Sequence, residues 1–568
     1  MNKARSHSRW PSPGACGALT LAAVVMLALA IGSAAATAAP MASTPLVALS
    51  GRSPFPDRCG TGDAAQAGAE VEAHLAVDPR DPAKMVATWQ QDRSRLTGGA
   101  LSTGASVTND GGRHWRRVDV PGTTICPSDA SDRRSDPWVS IGADGTAYLA
   151  TLQVRLDPIS STSRVLVNRS VDGGATWSPP ATIVDRGSVE DKEAVTADPV
   201  RPATAYAIWA TAEAGVVRTG YFARTVDGGV TWSAPQAVYT PPQGRFANGH
   251  QIAVAPDGAL IDVFVEGGSG PAGEAVKAMR SEDQGASWSA PVVVGQSSGF
   301  PTADPERHTP ISTGDAVPTV AIAPAGDVFV AWQSPGLVGE GRVLFARSTD
   351  GARSFGVQRA VPGVTAAPFT PALAAGPAGL ALSYYDLRFD RRRDRELTTS
   401  MWIAHSHDAG GSWAESRIGG PFDLRRAPRR AGTQLFLGDY TGLVPLPNGF
   451  GAAVVESKPA ASHGASDVFF TRAVLGRRPS ALRILVSVRP RRIRSGRRTR
   501  VRVRVRGVVD GDRRPLADAR LRVGRRQFRT NSRGRAVVTL RLRAGRYRLS
   551  ATKPGFRRST TGLRVSAD

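Results

Sequence analysis

One eight-residue frame, Ser/Thr-x-Asp-x-Gly-x-Ser/Thr-Trp/Phe, recurs six times along the 568-residue chain. Residues 170–177, 225–232, 281–288 and 406–413 match it fully. In 108–115 His114 takes the second hydroxyl slot, and in 348–355 Ala352 and Phe355 replace Gly and Trp. The six aspartates, Asp110, Asp172, Asp227, Asp283, Asp350 and Asp408, succeed one another at steps of 62, 55, 56, 67 and 58 residues. A near-constant period of this size demands an architecture of stacked, similar units.

The composition of the frame explains what it does locally. A short Asp side chain accepts hydrogen bonds from N–H groups of its own turn. Glycine two residues later admits positive φ. The hydroxyls add local bonds, and the Trp packs as an apolar anchor between units. The frame is thus a self-contained turn joining two strands, structural rather than catalytic.

Around each turn lie short apolar segments: 73–77 with 85–89, 138–141 with 147–152, 194–197 with 204–209, 252–254 with 260–265, 319–322 with 328–332, and 372–375 with 380–384. A third strand runs into the turn and a fourth leaves it. Four antiparallel strands per repeat make one blade of a β-propeller. The 61 glycines and 41 prolines fit many turns and few helices. A seventh unit lacks the frame but keeps strands at 440–444, 451–455 and 467–472. Its fourth strand is expected from 44–49, which would join the chain ends and remove an open edge. The predicted fold is all-β, a propeller of seven four-stranded blades (six being the alternative) followed by a small β-sandwich.

The six copies resemble the Asp-box, or BNR, repeat of the sialidase (neuraminidase) superfamily. The resemblance covers about three quarters of the chain. It implies a propeller with its Asp boxes on the face opposite the active site, and six blades rather than seven. It also implies an exo-sialidase-like glycoside hydrolase. Such an enzyme needs arginines clamping a substrate carboxylate, a carboxylic acid as proton donor, and a tyrosine nucleophile activated by a glutamate. The family's Phe/Tyr-Arg-Ile-Pro motif is absent. A non-catalytic propeller that binds a carbohydrate or protein therefore stands beside the hydrolase reading.

Lining up the repeats places Glu72, Asp136, Glu193, Gln251 and Asp439 before the inner strands, with Lys192, His250 and Tyr440 beside them. The ends of the second strands add Arg93, Arg155, Tyr385, Asp386 and Arg388. Clustered carboxylates are where pKa values are driven apart. The expected catalytic set is Asp136 as acid, Tyr385 or Tyr440 as nucleophile, Glu193 as its partner, and Asp439. The expected substrate-binding set is Glu72, Arg93, Arg155, His250, Gln251, Asp386 and Arg388, with Arg93, Arg155 and Arg388 as the clamp. No cofactor is expected; Ca²⁺ is the ion a carboxylate ring would suit, although no metal-ligand spacing marks a site.

Residues 1–39 read as an export signal. Lys3, Arg5 and Arg9 precede an apolar run, then Ser33 and the alanine-rich stretch to Ala39. The alternative is a retained anchor. The product would be secreted or cell-surface associated. Removal of the signal leaves Cys59 and Cys126, expected as one disulfide, or else as two free thiols.

The net charge of +24 is not spread evenly. Residues 477–568 hold 30 Lys/Arg against 4 Asp/Glu, so the propeller region 40–476 is near neutral. Strict alternation in Arg500-Val-Arg-Val-Arg-Val-Arg506 predicts valines inward and arginines outward. This module resembles immunoglobulin-like or carboxypeptidase-regulatory-like sandwiches. Its arginines either grip an anionic surface polymer or simply solvate the faces. Without interleaved aromatics, specific nucleic-acid binding is not expected. The partner expected at the propeller is a glycan or glycoconjugate, and the protein is expected to be monomeric.

Overall fold

A computed structural model describes residues 40–55, 66–95, 98–125, 132–157, 161–213, 217–268, 273–297, 302–312, 317–334, 341–364, 366–391, 395–430, 432–458, 464–475, 482–509, 512–516, 519–553 and 556–567. Residues 1–39, expected as an export signal, and Cys59 and Cys126, expected as a disulfide, lie outside these residues.

The fold is all-β. Strand pairing yields antiparallel four-strand runs in chain order, the first five beginning at Val71–Asp78, Asp132–Ile141, Val189–Ala197, Arg245–Val254 and Thr319–Ile322. The sixth begins at Phe369–Gly376 and the last at Leu443–Leu446. We number these runs blades I to VII. Each inner strand packs against the next, and Leu443–Leu446 returns to Val71–Asp78, so the inner strands form a closed cycle around an axis. Blade VII completes its sheet with the amino-terminal segment. Met41–Ser43 pairs with residues 473–475, and Val47–Ala48 with Phe469 and Phe470. The edge that Ser466–Leu475 would otherwise leave open is thereby covered.

The repeated turn sits between the third and fourth strands. In blade II, Asp172 Oδ1 accepts from Ser170 Oγ at 2.8 Å and from the Thr176 amide at 2.9 Å, while Oδ2 accepts from Thr176 Oγ1 at 2.6 Å. Asp227, Asp283, Asp350 and Asp408 repeat the pattern. At Asp110 the His114 ring nitrogen, 2.6 Å away, replaces the missing hydroxyl. Both residues after each Asp have positive φ, including Gln284, Ala352 and Ala409. The second also lies against the preceding blade: a Cβ on Gly285 would come within 2.2 Å of Phe222. Next to this contact the box Trp meets an aromatic of the preceding blade, as Trp288 does Phe222, Trp232 does Tyr148 and Trp115 does Phe470.

Residues beyond 481 form two five-stranded sheets sharing one apolar core. Val501, Val503 and Val505 are buried in it, while Arg500, Arg502 and Arg504 are exposed. That is the alternation the sequence predicts.

Candidate active site

At the start of five of the seven inner strands the ladder skips. Register shifts fall between Val71 and His74, Ser135 and Trp138, Asp191 and Ala194, Asn248 and Gln251, and Phe369 and Ala372. These are β-bulges, which re-aim side chains. The bulged residue takes a left-handed backbone: Glu72 (φ 51), Asp136 (φ 50), Lys192 (φ 53), Gly249 (φ 67) and Thr370 (φ 51). Only one of these five is glycine. A non-glycine residue held there costs on the order of 1–3 kcal/mol, and such outliers gather at functional sites.

The bulges correct the repeat alignment. The partners of Glu72 and Asp136 in blades III and IV are Lys192 and Gly249, not Glu193 and Gln251. The first apolar residue of a strand is not at the same ladder position in every repeat, so counting back from it misplaces the bulge.

The bulge side chains of blades I to III meet Asp439 of blade VII around one ammonium group. Lys192 Nζ lies 2.6 Å from Asp439 Oδ2, 3.2 Å from Asp136 Oδ2 and 3.7 Å from Glu72 Oε1. Gln90 donates to Glu72, and Ser135 Oγ donates to Asp136 Oδ1 at 2.5 Å. The group lines a cavity of about 310 Å³ whose wall also carries Arg93, Arg133, Asp191, Arg218 and Arg430. Arg93 stacks over Phe436 at 3.9 Å.

The electrostatics separate the carboxyls. Burial pushes Glu72 up to about 8, and the Asp136 charge adds to this against the pull of Lys192. Burial alone would also raise Asp439, but Lys192 and Arg430 outweigh it and hold Asp439 well below the usual carboxylate range. Lys192 itself is kept charged: desolvation works against the ammonium, and its carboxylate neighbours overcome it.

Arg430 has no counterpart in the repeats. It arrives on an insertion between blades VI and VII, where Arg429–Arg430 pairs with Gln434–Phe436 and that strand runs parallel to Ile311–Ser312. The insertion is pinned by Arg425, which bonds Asp304 at 2.6 Å and Glu306 at 3.0 Å. Arg430 Nη1 then reaches Asp439 at 3.1 Å, while Ser312 Oγ donates to Asp439 Oδ1 at 3.0 Å. The arginine pairs 425–426 and 429–430, in a segment too long for a fourth strand, were the available signal.

Other expected residues lie elsewhere. Tyr385 is not a free nucleophile: it is buried, donates to the Val455 carbonyl at 3.1 Å and accepts from the Val455 amide at 2.8 Å. Burial also raises its phenol. Tyr440 donates to the Pro137 carbonyl at 2.9 Å and packs on Trp138, and burial pushes its phenol well up. Tyr440 and Gln251 line a separate small cavity of the inner channel. Glu193 is buried beside Asp136, and neither of its carboxylate oxygens meets a donor from another described residue. Burial raises its pKa well above the ordinary value, with Asp136 contributing. His250 is sealed between Asp262, at 2.8 Å, and the Phe264 ring.

The expected clamp is not assembled. Arg93 lines the cavity, but Arg155 is exposed beside Asp132. Arg388 bonds Asp386 and Glu415 and stacks over Trp402. Asp386 serves that cluster too. Where a cation such as Ca²⁺ would sit among the convergent carboxylates, the structure places the Lys192 ammonium. Among the described residues no group of three His, Cys, Asp or Glu is placed to hold a metal ion.

No protein-family model matches the chain, and no curated protein matches it. Similar solved structures include a Dyadobacter fermentans protein of unknown function, at 15% identity over 73% of this chain and 96% of that one, with a TM-score of 0.40. A Penicillium chrysogenum α-L-arabinanase complexed with arabinobiose aligns at 12% identity over 77% and 99% of the two chains, with a TM-score of 0.40. A Trypanosoma rangeli sialidase aligns at 13% identity over 77% and 59%, with a TM-score of 0.37. Likeness at this level identifies neither activity nor substrate.

Proposed function

We propose that the protein is an exported glycoside hydrolase that takes a glycan at the propeller mouth, with Glu72 as proton donor and Asp439 as the ionised partner. The observation carrying this reading is that two carboxyls on one ammonium are driven in opposite directions. A pair separated in this way supplies an acid and a base at the same pH. Their contacts to Lys192 leave Glu72 Oε1 and Asp439 Oδ2 at most about 6.3 Å apart, short of the roughly 6.5–9.5 Å of inverting enzymes, so the reading takes the retaining class. Glu72 would protonate the leaving oxygen, and Asp439 would meet the positive charge developing at the anomeric carbon. Arg93, Arg133 and Arg430 would orient the sugar.

A second reading, a binding propeller without chemistry, is favoured by one feature. Lys192 engages all three carboxyls at once, and Glu72 is only 1% exposed. Turnover of a fluorogenic glycoside panel, with sialosides and arabinosides included, separates the two. Release from one sugar supports the hydrolase. Silence across the panel with retention on a glycan array supports the binding propeller.

A further inference from the structure

The carboxy-terminal module carries a second surface, independent of the mouth. In its first sheet, Leu482–Arg489 pairs with Thr499–Val509, which pairs with Arg535–Leu540. The register sets Arg489 directly opposite Arg502, and Arg504 directly opposite Arg535. With Arg491 these exposed arginines line a groove of about 760 Å³, and no acidic residue lines it. None of the five forms an ion pair with a described residue. Like charges directly opposite on neighbouring strands oppose pairing, so the free face holds an unmet demand for anions.

We propose that this arginine face binds a linear polymer of phosphodiester-linked polyol units. Same-face residues on one strand lie about 6.6 Å apart, and adjacent strands about 4.8 Å apart. The grid suits a chain presenting one anion per short repeat, not a single small ion. A phosphodiester offers two diverging free oxygens, so one group can bridge guanidinia on two strands. The groove has no aromatic lining, which removes the stacking that single-stranded nucleic acid uses. Of its apolar residues Val537 is half-exposed and suits the hydrocarbon of a polyol, while Val488, Val503 and Ala536 belong to the core beneath.

The test is binding of the full chain to immobilised poly(glycerol phosphate) across a salt series. One variant replaces Arg489, Arg502, Arg504 and Arg535 with Gln. A charge-matched control replaces the exposed Arg520, Arg522, Arg546 and Arg548 of the other sheet. The first variant is expected to lose affinity at least ~10-fold and about 3 units of log–log salt slope, while the control stays near wild type. Equal losses in both would overturn the proposal in favour of bulk charge, as would no loss in either. Tighter binding to a polyuronate or to a single-stranded oligonucleotide of equal charge would also overturn it. The double variant Arg489→Gln/Arg502→Gln carries the same expectation at smaller scale should the fourfold variant not fold.

Discussion

Lys192 Nζ and Asp439 Oδ2 stand 2.6 Å apart across the mouth of the propeller, although 247 residues separate them in the chain. The contact exists because the inner strand of the last blade returns beside the first. It joins blade III to blade VII and draws Asp136 and Glu72 onto the same ammonium.

Removing that ammonium should be costly. Lys192→Met leaves the buried Glu72 and Asp136 without their ammonium and Asp439 with Arg430 as its remaining cation, a loss of about 3–5 kcal/mol. The thermal transition should fall accordingly, and fall further as pH rises and the carboxyls ionise. Thermal melts of wild type and variant between pH 5 and 9 check this.

Glu72 gives stability a distinct pH dependence. Its carboxyl is raised from 4.5 to about 8 by burial and then by Asp136. Folding therefore favours the protonated form: that contribution is complete below pH 4.5 and is lost as pH rises through about 8. Glu72→Gln cannot ionise, so it should gain on wild type across this window, by at most about 5 kcal/mol. Denaturant midpoints measured from pH 4 to 9 would show the two curves diverging upward.

The turn glycines divide by what lies beside them. Gly285→Ala puts a Cβ 2.2 Å from Phe222 at φ 87 and should cost about 2–4 kcal/mol. Gly187→Ala has φ 72 but nothing within 4 Å and should cost only about 1 kcal/mol. Their melting temperatures test whether packing between blades, beyond backbone conformation, fixes the motif.

Tyr385→Phe should leave turnover unchanged. It removes the hydroxyl that serves the Val455 amide and carbonyl, costing about 1–3 kcal/mol of stability. Equal kcat with a lowered melting temperature is the expected pair of results.

The sequence made the blades legible because each box binds itself: Asp172, Ser170 and Thr176 close their bonds within eight residues. Closure by the amino terminus was legible because the seventh unit visibly lacked a strand. The site was harder. Glu72, Asp136 and Asp439 stand out as acids ahead of apolar runs, but a bulge adds a residue without altering composition. Nothing local therefore distinguishes Lys192 from Glu193. Arg430 depends on an insertion outside the repeat, and Tyr385 turns between blades toward Val455, a partner 70 residues away in the chain.

The most direct measurement is kcat/KM on a turned-over glycoside for wild type, Glu72→Gln, Asp439→Asn and Tyr385→Phe, each verified as folded. Losses of about 10²–10⁴-fold are expected in the first two variants and a wild-type value in the third. Full activity in Glu72→Gln and Asp439→Asn, or its loss in Tyr385→Phe alone, would contradict a site centred on Lys192.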